Sequence, residues 1–133
     1  MELFESFVRK IFAICGFGIY KKGRCRTTLG EVIDHIIAVG FRPQTVIDVG
    51  AAYGTFELYR FPNAKYLLIE PLREFEPALK KICRKYNAEF VLAAASDQSG
   101  IIEINVHDDL TGSSLFKEAD GKFVNGVPRK VPA

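Results

Sequence analysis

Two stretches of this 133-residue chain set chemistry-bearing side chains at an informative spacing. Residues 45–54 read TVIDVGAAYG, and Glu70-Pro71 closes a second apolar run, KYLLIE, 20 residues after Gly50. A short β-branched run followed by a glycine turn has the form of a parallel strand and its carboxyl-end loop. That loop is where open α/β sheets bind ligands. Asp48 sits near the end of the run, Gly50 makes the tight turn, and Ala51 and Ala52 are small enough to let a ligand approach the backbone. Tyr53 reads as a lid or packing residue, and Gly54 opens the next segment. An acid about 20 residues beyond such a turn stands where a carboxylate accepts hydrogen bonds from ribose hydroxyls, which is the role expected of Glu70. The pattern points to an adenosine-type ligand.

The motifs that are absent narrow the choice. A pyrophosphate calls for G-x-G-x-x-G and a nucleoside triphosphate for G-x-x-x-x-G-K-[ST], whereas this loop reads Gly-Ala-Ala-Tyr-Gly. A nicotinamide dinucleotide is therefore the weaker reading. Asp48 would repel a phosphate but suits an ammonium group beside a sulfonium, and S-adenosylmethionine carries both.

The elements that must position these residues follow from periodicity. The spacing predicts a helix over 2–15, then a basic loop over 21–26. Thr28 caps a second helix with Glu31 at the capping-box position, Leu29, Val32, Ile33, Ile36 and Ile37 turned inward, and Gly40 as its stop. Strands are expected at 45–49, 65–70 and 89–93, all apolar enough for a sheet covered on both faces. A short helical stretch should run from Gly54 to about Arg60, and a helix over 73–86. Residues 101–106 alternate as a half-exposed strand, expected to run antiparallel to the third. The fold class is α/β: a Rossmann-like parallel sheet with N-terminal helices and an added antiparallel strand. Residues 1–42 form an N-terminal helical extension and residues 43–133 the sheet domain.

The residues Asp48-Val49-Gly50-Ala51-Ala52-Tyr53-Gly54, Glu70-Pro71, 93–97 (AAASD) with Gly100, and Ser113-Ser114-Leu115 together resemble the FkbM family of S-adenosylmethionine-dependent methyltransferases, over about residues 43–133. The resemblance implies a class I methyltransferase that methylates a hydroxyl on a sugar or other small metabolite. It implies that residues 50–54 cradle the methionine part, that Glu70-Pro71 holds the ribose, and that the loop around Ala95 and Ser96 edges the adenine. Many members carry Asn where this chain has Ala52. In the family a further strand and an acidic-Gly motif follow the Ser-Ser-Leu segment. Their absence leads to the expectation of a truncated product or fragment, a non-catalytic remnant being the alternative. The absent strand would leave the first strand an open edge, to be covered by a partner chain or by the N-terminal helices. No catalytic base is assigned.

Other features are read as structural. Asp97 and Gly100 suit a turn, Asp108-Asp109 a solvated loop and His107 the surface; residues 111–114 are open to either role. Three widely spaced cysteines and two distant histidines give no zinc spacing and no disulfide framework, and suit a reducing cytoplasm. The net charge of +2 lacks the concentrated excess of a nucleic-acid binder. The charge is uneven, with residues 1–42 at +3 and residues 43–133 at −1. The apolar run at 11–20 is too short to span a bilayer, which needs about 20 residues. Residues 1–26 could instead rest on a membrane surface, the alternative being a helix packed on its own domain or on a part of the protein beyond this sequence.

Overall fold

The computed structural model describes residues 2–15, 28–116 and 126–133. In chain order these form α1 (Glu2–Ile14), α2 (Leu29–Ala38), β1 (Thr45–Val49), a 3-10 turn (Leu58–Arg60), β2 (Lys65–Ile69), a second 3-10 turn (Arg73–Phe75) running into α3 (Glu76–Lys85), β3 (Ala88–Val91), β4 (Ile101–Val106) and β5 (Val127–Pro132). The basic loop at 21–26 lies outside the described residues. No described helix is long and apolar enough to cross a membrane.

β1, β2 and β3 form a parallel sheet in that order, with Val46 opposite Tyr66 and Tyr66 opposite Ala88. The chain is thus α/β, and among the described residues the parallel sheet has three strands with β1 at its edge. Thr28 caps α2 as its spacing predicts, its hydroxyl accepting from the Glu31 N–H at 3.2 Å.

Three expectations need correction. β4 does not run antiparallel to β3; it pairs with β5 in a separate two-stranded sheet, Ile102 opposite Val131. Nine residues, 92–100, separate β3 from β4, too many for the tight hairpin that would force them together. β5 lies where no strand was expected, and it carries Pro128 and Pro132, a residue that sheets ordinarily exclude. Their placement explains why they are tolerated. Ala133 and Gly100 exchange both N–H···O bonds, and Asn105 exchanges both of its own with Ser114, on the side away from β5. Backbone groups alternate along a strand, so Pro128, opposite Asn105, and Pro132 fall where no N–H is required by β4. Finally, the stretch after Gly54 forms no α-helix. Its bonds run Leu58 N to Thr55 O and Tyr59 N to Phe56 O, a 3-10 pattern. Pro62 holds the preceding Phe61 extended (ψ 118°) and ends the turn there.

One face of the parallel sheet is covered. Tyr66 and Leu68 pack with Ile33 of α2, Tyr59 of the first 3-10 turn, and Leu79 and Ile82 of α3. The opposite face, carrying Ile47, Val49 and Val91, is open: Ile47 is 56% exposed and Val49 60%. A second apolar cluster joins the hairpin to the carboxyl end of the sheet, with Leu72 and Phe75 against Ile104, Val106 and Val131. The Arg129–Glu74 ion pair braces it, and that hydrogen bond holds the Glu74 carboxyl below its usual range.

Tyr59 is the anomaly of the core. Its ring stacks on Tyr86 at 4.6 Å and meets Tyr66 edge-on, yet its buried hydroxyl has no hydrogen-bond partner. Burial, with the Asp48 charge second, pushes its pKa up from 10.0 to about 12. The unfolded chain therefore releases this proton first as pH rises, and its contribution to stability falls between about pH 10 and 12. Tyr59→Phe should leave the protein as stable or about 1 kcal/mol more so at neutral pH, since an orphan hydroxyl is removed. It should also flatten the loss of stability in that alkaline window. Urea melts of both proteins at pH 7 and through the alkaline range check both points.

Candidate functional site

The turn at 50–54 is built from left-handed backbone. Gly50 has φ 74°, Ala52 43° and Gly54 95°. The Gly50 and Ala51 N–H groups both donate to the Ile69 carbonyl, at 2.9 and 3.2 Å, which ties the turn to the end of β2. The two glycines are needed for different reasons. A methyl group on Gly50 would meet nothing within 4 Å, so backbone conformation alone selects glycine there. On Gly54 it would lie 2.6 Å from Ile82 Cδ1 and 2.7 Å from the Tyr59 hydroxyl. The turn therefore rests directly on the core. Ala52 holds a left-handed conformation that Asn tolerates better than Ala.

Both acids are buried at this end of the sheet. Asp48 accepts from the Thr55 N–H (Oδ2) and from the Thr55 hydroxyl (Oδ1), each at 3.1 Å, and so closes the turn. Glu70, 4% exposed, accepts from the Ala52 N–H (Oε2) and from the Leu72 N–H (Oε1), each at 2.9 Å. Its carboxylate joins the loop after β1 to the loop after β2. Pro71 is half-buried between Glu70 and Leu72. Tyr53 stands exposed on the turn, its ring edge-on to Phe75 with centroids 4.9 Å apart.

Ala95 and Ser96 line a concavity of about 390 Å³ at the carboxyl ends of β2 and β3, bounded by Ile69, Val91 and residues 93–99, with Ala133 beside them. Ile69 belongs to both parts: its carbonyl receives the turn and the residue borders the concavity. The structure thus gathers Asp48, residues 50–54, Glu70 and Pro71 into one cluster and sets Ala95 and Ser96 in the adjoining hollow. It leaves the other candidates elsewhere. Asp109 accepts from the Gly112 N–H and the Ser113 hydroxyl accepts from the His107 N–H, so residues 107–114 hold their own turn. Among the described residues no group of three or more His, Cys, Asp or Glu could hold a metal ion.

Sequence reasoning missed Thr55, the partner of Asp48, and Tyr59, which sits under Gly54. Neither has a motif to announce it; the contact of each depends on how the 3-10 turn folds back on β1.

Gly50→Ala should cost about 1–2 kcal/mol, the strain of one left-handed residue. Gly54→Ala should cost more, because steric conflict adds to strain, and Tyr59→Phe should recover part of the excess in the double variant. Glu70→Gln should lower stability by about 1.5–3 kcal/mol through two charge-assisted bonds, a loss measurable by urea denaturation. No protein-family model, curated protein or solved structure matches this chain.

Proposed function

We propose that this chain carries the cofactor-binding part of a Rossmann-like methyltransferase of the FkbM type, and that it binds S-adenosylmethionine. The observation that carries the reading is the junction at Ile69. A glycine turn with three left-handed residues, supported by a buried acid from the next strand, adjoins a hollow lined by residues 93–99. Its volume lies near the lower end of the roughly 300–1,000 Å³ range of small-molecule sites.

In this reading the turn cradles the methionine part, with Asp48 facing the ammonium group. Glu70 accepts from the ribose; each of its oxygens keeps a second lone pair beyond the backbone bond already made. Ala95 and Ser96 border the adenine, against Ile69 and Val91. The cofactor supplies an activated methyl group on a sulfonium. The chain's part is to hold that group in line with an acceptor hydroxyl of a small metabolite or sugar, and positioning of this kind is a large share of catalysis for such a transfer. No residue is assigned as a base.

A second reading, a non-catalytic cofactor-binding remnant, draws on one fact. Both acids already spend hydrogen bonds on the chain's own backbone, so they serve the fold whether or not transfer occurs.

Calorimetry with S-adenosylmethionine and with its demethylated product should show saturable heat. Ala95→Trp, which fills the hollow from an exposed position, should weaken binding about tenfold, a loss near 1.4 kcal/mol, without lowering the melting temperature. Absence of heat with both compounds would overturn the proposal, and a thermal shift with NAD alone would point to a dinucleotide instead. Binding without transfer of a labelled methyl group to sugar or small-metabolite hydroxyls would favour the remnant.

A further inference from the structure

None of the described side chains of α1 belongs to either core cluster, whereas α2 and α3 both contribute. It is nonetheless strongly two-sided. At roughly 100° per residue, Phe7, Val8, Ile11, Phe12, Ile14 and Cys15 share one half of its circumference. Phe7 is 61% exposed and Ile14 86%, with Ile11 and Phe12 also open. These described side chains of α1 are not packed into the domain's core.

Charge indicates what the stripe meets. From residue 6 to residue 30 the sequence holds six basic residues, Arg9, Lys10, Lys21, Lys22, Arg24 and Arg26, and no Asp or Glu. The remainder of the chain is not basic; residues 43–133 sum to −1. A short helix with an aromatic and aliphatic half-face, next to a stretch of sequence that carries basic residues and no acid, has the chemistry of an element that lies in the plane of an anionic bilayer. At 13 residues α1 is too short to cross one.

We infer that α1 is a membrane-surface anchor. Its Phe7–Ile11–Ile14 stripe enters the boundary between headgroups and acyl chains of an anionic lipid surface, and the basic residues that follow supply the attraction. The anchor is independent of cofactor binding, since α1 adds nothing to the turn or the hollow.

Co-sedimentation of the full chain with vesicles tests this. Vesicles of phosphatidylcholine with about 30% phosphatidylserine should bind at least about tenfold more chain than phosphatidylcholine alone, and added salt should weaken the binding. F7D/I11D should lose about tenfold in binding while its melting temperature without lipid stays unchanged. K21Q/K22Q, which leaves the apolar stripe intact, should reduce binding to anionic vesicles only. Equal sedimentation of the parent and F7D/I11D, or no binding to anionic vesicles, overturns the inference. So does a lower melting temperature or a halved mass for F7D/I11D without lipid, which would place α1 on the open sheet face or on a second copy.

Discussion

The Glu70 carboxylate lies at the end of β2 with almost no access to water, and its two oxygens reach in different directions. One receives Ala52 from the loop after β1, the other receives Leu72 from the loop after β2. A buried carboxylate is costly unless its lone pairs are met, and a buried backbone N–H is costly unless an acceptor faces it. Each side of this contact therefore requires the other. With it in place, the left-handed turn stays against the Ile69 carbonyl, Leu72 and Phe75 turn toward the β4–β5 hairpin, and Tyr53 finds the Phe75 ring. The hollow beside residues 93–99 is bounded by the same strand end.

The second constraint is one-sidedness. α2, α3 and the first 3-10 turn all pack on the face of Tyr66 and Leu68. Strands apolar on both faces ordinarily sit between two layers, and here the described residues supply one layer and a hairpin at the carboxyl end. Ile47 and Val49 are consequently exposed on a strand whose composition suits burial. Another exposed apolar surface among the described residues is on α1, at the far side of the charge boundary in the sequence. Two unpartnered surfaces in one chain do not make a pair by themselves; the charge around α1 is what separates their destinations.

Much of the architecture was legible in the residues. The β-branched run at 45–49, the alternation at 101–106, and the Thr28 cap of α2 each followed from a local rule, and each appears where that rule puts it. What failed to read had non-local causes. The proline-bearing strand β5 exists because its partner β4 leaves the proline positions facing away. That partner leaves no pattern in the window of β5 itself.

For the site, residue type and spacing by themselves determined that two acids and a glycine turn would stand at the carboxyl ends of adjacent parallel strands. Strand length, turn chemistry and the 20-residue offset are local quantities, and they suffice for that. Only the tertiary structure decided what those acids touch. Asp48 meets Thr55 and Glu70 meets two loop amides because the chain after each strand folds back within reach of its carboxylate. Gly54 is required because Tyr59 and Ile82 arrive from later segments to occupy the space a side chain would need. Hydrogen bonds and steric exclusion act over a few ångströms in space and take no account of separation along the chain, so they come into being only when the fold does.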